Sequence, residues 1–330
     1  MPSHWGHSSE EYVKQAIENV EAELQTHDRR LCGRFSTPMT SNYRPELDYT
    51  PFLPDEAATY YMELISILRW IVELGRMDIM VDVSLLSSYT MQPRRGHLDQ
   101  VFHVFGYLKR NKRATLMFDA SRVEWNEASF AKHDWTDFYH GVKEKIPPNA
   151  PPPRGEPVQI NCFIDADHAG NCITRRSQTG ILVFLNRSPI IWFSKAQNTV
   201  ETSTFGSEFT ALRIATELLE SLRYKLWMLG VPLEGPVNAF YDNSSVVLNS
   251  TQPASTLKKK HNAIAYHKVR EAIPSNMMRL AWVHSSKNLA DMLTKPLPSP
   301  TLHALCEKVL YLLKEKEIEI DQSVDKSHGL

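Results

Sequence analysis

Four acidic residues occur where their carboxylates could meet at one site. Asp165 and Asp242 each end a strand-like run of alternating apolar residues. Glu208 opens a long amphipathic helical pattern, and Asp291 lies in a short helical pattern after a third strand-like run. Carboxylate oxygens are the ligands that hard divalent cations prefer, and paired cations serve phosphoryl chemistry. The pattern therefore predicts a two-metal phosphodiester hydrolase.

The residues around these acids form four motifs. They read Cys162-Phe-Ile-Asp-Ala-Asp-His-Ala-Gly170, Ser203-Thr-Phe-Gly-Ser-Glu-Phe209, Tyr241-Asp-Asn-Ser-Ser-Val246 and Asn288-Leu-Ala-Asp-Met-Leu-Thr-Lys-Pro-Leu-Pro298. In this order they resemble the ribonuclease H domain of copia-type retrotransposon Pol proteins. The resemblance implies a catalytic and metal-binding set of Asp165, Glu208, Asp242 and Asp291. It also implies two Mg²⁺ ions, for which Mn²⁺ can substitute, and an RNA–DNA hybrid whose RNA strand is hydrolysed.

Three of the acids also have a structural interpretation when each is taken alone. Asp242 could cap the helix predicted after it, since Asp is a favoured cap residue. Glu208 could simply favour the positive end of its helix dipole, and Asp291 could be a surface acid. Glu208 nevertheless comes four residues before Leu212, so it extends the apolar stripe of its helix. An inward carboxylate is costly without a cation or metal beside it.

Basic residues and hydrogen-bond donors near the acids are candidates for contact with nucleic acid. The formal net charge is −1, but an average can hide local basic patches. Phosphate contact is predicted for two basic runs in loops, with solvated surface charge as the alternative. They comprise Arg175, Arg176, Lys258, Lys259 and Lys260. Donors toward the 2′-hydroxyl groups of RNA are predicted at Ser177, Gln178 and Asn243.

A histidine near the last acid is a further candidate. His284 follows a strand-like run and precedes Asp291. By resemblance, a histidine in this region assists proton transfer or product release, and a plain loop histidine is the alternative. A zinc site is disfavoured, because no cysteine pair accompanies the histidines.

The second half of the chain predicts an α/β fold. Strand-like runs at 158–165, 181–185 and 190–194 precede a long helix, and a strand, a helix and a strand follow. The helix carries an apolar stripe of Leu212, Ala215, Leu219, Leu222, Leu226 and Leu229, which must face a sheet. This order is that of a ribonuclease H-like mixed five-stranded sheet with flanking helices.

The first half reads as mainly helical. Residues 1–146 resemble the C-terminal, thumb or connection part of a copia-type reverse transcriptase, through Tyr43–Asp48, Leu68–Ile79 and Gly96–Lys109. The polymerase tetrapeptide Tyr-x-Asp-Asp does not occur in the sequence, so polymerase activity is not expected. Six prolines at 147–157 predict a linker. The predicted ribonuclease H domain is 158–298, followed by a C-terminal helix and tail at 299–330.

Bulk composition narrows the class of protein. The 330 residues are 42% hydrophobic, enough for sizeable cores, and no apolar run is long enough to span a bilayer. The N-terminus lacks a signal-peptide pattern, and the four cysteines are scattered, as in a reducing compartment. An intracellular location is therefore expected, in the cytoplasm, a virus-like particle or the nucleus.

The sequence allows one alternative function and argues against another. The chain could be a catalytically silent Pol remnant that binds nucleic acid or supports a separate polymerase palm. An integrase-type strand transferase is disfavoured, because such enzymes use the order D-D-E and this chain has D-E-D-D.

Overall fold

The computed structural model describes residues 4–256 and 263–311. Within this part no helix is long and apolar enough to cross a membrane. The strands are β1 (His4–Ser8), β2 (Thr115–Asp119), β3 (Ile160–Ala166), β4 (Gln178–Leu185), β5 (Ser188–Ala196), β6 (Val237–Tyr241), β7 (Met278–Trp282) and β8 (Leu310–Tyr311). The helices are α1 (Glu10–Thr26), α2 (Asp55–Glu73), α3 (Met80–Ser87), α4 (Arg95–Arg110), α5 (Thr204–Met228), α6 (Ser244–Thr251), α7 (Ala263–Ala272) and α8 (Ser299–Cys306).

The chain divides into two compact units. The N-terminal unit comprises Trp5–Met117 and residues 296–311, and the C-terminal unit comprises Phe118–Lys295. The division therefore lies about thirty residues before the proline-rich segment at which the sequence predicted a boundary. That segment is fastened to the C-terminal unit, since the Arg154 amide donates to the Gly230 carbonyl at 2.8 Å and the Val158 amide donates to the Pro232 carbonyl at 3.0 Å.

The N-terminal unit is mainly helical, as predicted. The apolar face of α2 is buried through Tyr61, Leu64 and Leu68, in agreement with their helical spacing. Its interior also holds an ion pair, in which Arg76 donates to both carboxylate oxygens of Asp78, at 2.9 and 2.7 Å. The C-terminal α8 and β8 belong to this unit, where β8 pairs antiparallel with β2.

The C-terminal unit is built on one five-stranded sheet of order β5-β4-β3-β6-β7. Strand β4 runs antiparallel to β3 and β5, whereas β3, β6 and β7 are parallel. This mixed sheet with flanking helices confirms the predicted ribonuclease H-like fold class. Since β3 and β6 are parallel neighbours in the middle of the sheet, their carboxyl ends lie side by side.

One face of the sheet packs on helices. The stripe on α5 is buried through Leu212, Ala215, Leu219 and Leu226, as its spacing predicted, whereas Leu229 lies just after the helix and is 76% exposed. Sheet residues of the same core include Ile160, Cys162, Ile164, Ile181, Val183, Ala239, Tyr241 and Leu280, and α7 adds Tyr266 and Val269.

The opposite face is covered by the chain that precedes β3. The Trp125 ring lies 4.3 Å from the Phe240 ring between centroids, and the Trp125 indole N–H donates to the Asn161 side chain at 2.8 Å. The Phe130 ring lies 5.8 Å from the Phe240 ring, and Phe130 also forms a bridge with Ala281 of β7. Residues 118–146 thus complete the core of the C-terminal unit, which the sequence did not predict.

This cover determines where a stable fragment begins. A fragment of residues 118–298 should unfold at a higher temperature than one of residues 158–298, because the shorter fragment exposes the face around Phe240. Loss of a large buried aromatic side chain such as Phe130 costs about 3–5 kcal/mol, and loss of the half-buried Trp125 should cost less. Thermal unfolding and binding of a hydrophobic dye measure the difference, with Trp125→Ala in the longer fragment as the matched variant. Equal melting temperatures for the two fragments would contradict the role of the cover.

Candidate metal centre

Asp165 is the innermost of the predicted acids. It lies near the carboxyl end of the central strand β3 with 4% of its surface exposed, and its carboxylate accepts from the Thr294 hydroxyl at 2.5 Å. Burial, together with the nearby charges of Asp291 and Glu208, raises the pKa of Asp165 well above its usual range. A carboxylate in this position requires a positive charge if it is to ionise at neutral pH.

Two further acids converge on Asp165. The three residues Asp165, Asp242 and Asp291 each present a carboxylate oxygen such that these oxygens lie within 4.8 Å of one another. Asp242 comes directly after β6, whose Tyr241 is in register with Ile164 of β3. Parallel register therefore brings the first two acids together across adjacent strand ends.

Asp291 reaches the cluster from a short 3-10 helix, Leu289–Leu293. The side-chain amide of Asn288 ties this turn to the sheet by donating to the Ile164 carbonyl at 2.9 Å. Gly180 of β4, the partner of Asp165 in the sheet, allows the turn to approach closely. A Cβ atom at Gly180 would lie 2.8 Å from the Ala290 carbonyl oxygen, so a side chain there would displace the turn that carries Asp291.

Glu208 lies beside this cluster. It is buried in the second turn of α5, and its carboxylate accepts from the Tyr241 hydroxyl at 2.7 Å. Burial raises the pKa of Glu208 to about 7, and the charge of Asp242 acts in the same direction, while hydrogen bonds from Tyr241 and Asn243 oppose the shift. The structure therefore brings three of the four predicted acids into one group and places the fourth next to them.

The contacts of Asp242, Glu208 and Asp291 differ from those of ordinary cap or surface acids. Asn243, rather than Asp242, caps α6, because its side chain accepts from the Val246 amide at 3.2 Å. Glu208 is buried rather than on a solvated helix face. The Asp291 side chain is only 14% exposed. None of the three has the surroundings of an ordinary cap or surface acid.

Lys295 is a charged neighbour that the sequence analysis missed. Its ammonium group donates to the Asp291 carboxylate at 2.9 Å. Burial disfavours the charged ammonium, but Asp165, Asp291 and Asp242 outweigh this effect, so the pKa of Lys295 is raised. The spacing of four residues between Asp291 and Lys295 was the available signal, since such residues adjoin on a helical turn.

His284 is exposed and engaged within its own loop. Its ring nitrogen Nδ1 accepts from the Ser286 amide at 3.2 Å and caps the turn Ser285–Lys287. In the part of the chain that the structure describes, His284 makes no hydrogen bond to the four acids. Its predicted role in proton transfer therefore has no support from a direct contact.

The predicted substrate contacts differ in their exposure. Arg175 and Arg176 are exposed in the loop after β3, as a phosphate contact requires. Ser177 and Gln178 are buried instead, which differs from their predicted contact with RNA. The Ser177 hydroxyl accepts from the Ala169 amide at 3.0 Å, and the Gln178 side chain donates to the Ser194 hydroxyl at 2.8 Å, so both hold the protein's own structure. Lys258, Lys259 and Lys260 lie outside the described residues.

The donor set of the cluster fits a hard divalent cation. All three clustered side chains offer carboxylate oxygens, the donors of Mg²⁺ and Mn²⁺ sites, and no cysteine or histidine belongs to the group. The buried position and raised pKa of Asp165 leave a site that a cation would stabilise.

No protein-family profile matches the chain. The Pol polyprotein of transposon RE2 from Arabidopsis thaliana is 26% identical over 83% of this chain, and that of transposon TNT 1-94 from Nicotiana tabacum is 23% identical over 92%. The Ty1-JR2 Gag-Pol polyprotein of Saccharomyces cerevisiae is 21% identical over 76%. The chain spans only 16%, 20% and 12% of the lengths of these three relatives.

Solved structures of ribonucleases H are also similar to part of the chain. The ribonuclease LC11-RNase H1, crystallised in complex with an RNA/DNA hybrid, matches 41% of this chain and 94% of its own, with 20% identity and a TM-score of 0.33. RNase H1 from Halobacterium salinarum matches the same share at 14% identity, also with a TM-score of 0.33. At these scores the assignment of fold class depends on the strand order of this chain itself.

The sequence comparisons agree with the family that the motifs around the four acids resemble. Over 76–92% of its length, the chain is similar to the Pol and Gag-Pol polyproteins of copia-type retrotransposons.

Proposed function

We propose that the chain is a divalent-cation-dependent ribonuclease H, which hydrolyses the RNA strand of RNA–DNA hybrids. The observation that carries the proposal is the meeting of Asp165, Asp242 and Asp291 within 4.8 Å at adjacent strand ends. The hybrid substrate is proposed from the motif resemblance and from the similarity to retrotransposon Pol polyproteins. A palm domain elsewhere in such a polyprotein is the proposed partner.

The proposed roles follow from the positions of the side chains. Asp165, Asp242 and Asp291 would hold Mg²⁺ or Mn²⁺, and Glu208 would complete the site from its position beside them. When bound, the cations would activate water and stabilise the leaving oxygen. Tyr241 orients Glu208 through its hydroxyl.

Substrate contacts are proposed at the rim of the cluster. Arg175 and Arg176 are exposed and would contact backbone phosphates, as would Lys258, Lys259 and Lys260 by sequence. Asn243 both caps α6 and interacts with Glu208, so its proposed effect on substrate would act through that acid.

A silent remnant that binds hybrid without turnover is the second candidate. A silent remnant would have the same arrangement of carboxylates as an active enzyme, so only an activity measurement distinguishes the two candidates. Hydrolysis of a labelled hybrid by the purified chain in Mg²⁺, with no product in EDTA, supports the enzyme. Hybrid binding without hydrolysis supports the remnant.

The substitution Asp242→Asn should abolish cleavage while hybrid binding persists. The amide keeps the shape of the side chain but removes the charge that a hard cation requires. Mg²⁺ should raise the melting temperature of the wild-type protein more than that of the variant, because ligand binding to the native state stabilises it. Cleavage and thermal unfolding with and without Mg²⁺ measure both effects. Glu217→Gln, an exposed acid of α5 paired with Arg213, is the control.

Unchanged cleavage by Asp242→Asn would refute the site. An equal Mg²⁺ shift in both proteins would show that the stabilising metal binds elsewhere.

Without metal, the free energy of unfolding should fall as the pH rises from the ordinary pKa of Glu208 to its raised pKa in the folded protein. The folded-state pKa of Glu208, about 7, lies above its ordinary value of 4.5, so the folded protein binds the proton more tightly than the unfolded chain does. The resulting penalty is absent below about pH 4.5 and complete above about pH 7, where it is on the order of 3 kcal/mol. Glu208→Gln should therefore gain stability over the wild type from pH 5 to pH 8 in EDTA. A gain that is constant across this range would contradict the assignment, and Glu217→Gln should show no such trend.

The substitution Lys295→Met removes the positive charge of the ammonium group while keeping a linear side chain of similar size. In EDTA at pH 8 the variant should melt at a lower temperature, by about 2–4 °C for each 1 kcal/mol lost, because the carboxylates lose a neighbouring cation. Mg²⁺ should then stabilise the variant more than the wild type, since the metal no longer competes with the ammonium. Thermal unfolding over a Mg²⁺ titration measures this, with the exposed Lys225→Met as control. A Mg²⁺ response equal to that of the wild type would mean that Lys295 does not compete with the metal.

A further inference from the structure

A second site lies in the C-terminal unit, lined by none of the four acids. It is a cavity of about 460 Å³ beside α7. The lining residues are Phe138, Tyr139, Ser255, Thr256, Ala263, Tyr266, His267 and Arg270. None of them is acidic, and several are aromatic. The cavity is within the range of volumes that accept a small organic ligand.

Arg270 provides a buried positive charge in this lining. It is 2% exposed, and its guanidinium donates to the main-chain carbonyls of Pro253 at 2.7 Å and Ser255 at 2.9 Å. It also donates to the Tyr266 hydroxyl, while its Nε–H has no hydrogen-bond partner. Within residues 4–256 and 263–311, no carboxylate forms an ion pair with Arg270. A buried cation without a counter-ion is unfavourable, so an anion entering the cavity would be attracted to it.

Aromatic rings surround the same guanidinium. Its central carbon lies 4.9 Å from the centroid of the Trp135 ring and 4.7 Å from that of Tyr266. These cation–π contacts compensate part of the cost of burial but add no negative charge. Among the described residues, the Arg270 guanidinium therefore has no carboxylate partner, although the charge of Glu271 acts on the neighbouring Tyr139.

The outer lining offers a flat apolar surface and polar groups together. The Phe138 side chain is 57% exposed, and an exposed large aromatic residue beside a cavity is a surface on which a planar ring can stack. Tyr139 and His267 are linked by a hydrogen bond of 2.8 Å between the hydroxyl and Nδ1. Thr256 belongs to the same lining.

We propose that this cavity binds one nucleotide unit, with its phosphate drawn toward Arg270 and its base stacked on Phe138. Both a free nucleotide and a nucleotide within a single strand carry this combination of an anion and a planar ring. The alternative is a purely structural Arg270 that holds the turn at Pro253–Ser255 through its carbonyl groups. The site goes beyond the proposed hydrolysis and does not depend on it.

The test is calorimetric titration of the full chain in EDTA, so that no hydrolysis takes place. Three probes are adenosine monophosphate, inorganic phosphate, and a single-stranded DNA of twelve nucleotides. Phe138→Ala removes the stacking surface at an exposed position, and Tyr49→Ala, which removes an exposed aromatic side chain in the N-terminal unit, is the matched control. Arg270→Lys keeps the positive charge but changes the hydrogen bonds of the side chain. If Arg270→Lys does not fold, Phe138→Ala alone still tests the proposal.

Phe138→Ala should weaken binding of adenosine monophosphate or of the strand at least tenfold, and Tyr49→Ala should leave it unchanged. Equal affinity for the nucleotide and for the strand identifies a free nucleotide as sufficient, whereas binding of the strand alone identifies a nucleic-acid segment. Inorganic phosphate should bind more weakly than the preferred probe, because it lacks the base. Absence of binding by all three probes, or binding that Phe138→Ala leaves unchanged, would overturn the proposal. Such a result would not bear on the proposed hydrolysis of hybrids at the acid cluster.

Discussion

The repulsion among clustered carboxylates is the constraint on which the proposed site depends. Asp165 is almost fully buried, and the carboxylates of Asp242 and Asp291 lie within 4.8 Å of it. Negative charges at this separation in a poorly hydrated site cannot all persist without a cation. In the structure the pKa of Asp165 is raised, and Lys295 supplies a positive charge at Asp291. The site is therefore costly to the apo protein and favourable for a divalent cation.

The sheet makes this arrangement possible. Parallel pairing of β3 and β6 sets two acids at adjacent strand ends, while Gly180 and Asn288 allow the turn that carries Asp291 to approach. The helix α5 contributes Glu208 from its buried face, where Tyr241 holds the carboxylate. Each carboxylate thus has a position defined by the strand, turn or helix that carries it.

Much of this could be predicted from sequence because it depends on periodicity. The stripe on α5 predicted the buried side of Glu208, and alternation along the strands predicted the sheet. Contacts between distant segments could not be predicted in this way. The cover formed by Trp125 and Phe130 has no local signature, because its partners come from strands far along the chain.

Side-chain roles in loops were the hardest to predict. Ser177 and Gln178 have residue types suited to binding RNA, yet their hydrogen bonds are made inside the fold. Conversely, the importance of Lys295 depends on the charges that surround it in space. Residue type alone does not distinguish a donor directed at substrate from one directed at the protein.

Anomalous diffraction from crystals soaked in Mn²⁺ tests the central claim most directly, because Mn²⁺ scatters anomalously and takes the same oxygen ligands as Mg²⁺. We expect anomalous density bounded by the carboxylates of Asp165, Asp242 and Asp291. Density elsewhere only, or none at Mn²⁺ concentrations that saturate carboxylate sites, would contradict a metal-dependent function for this cluster.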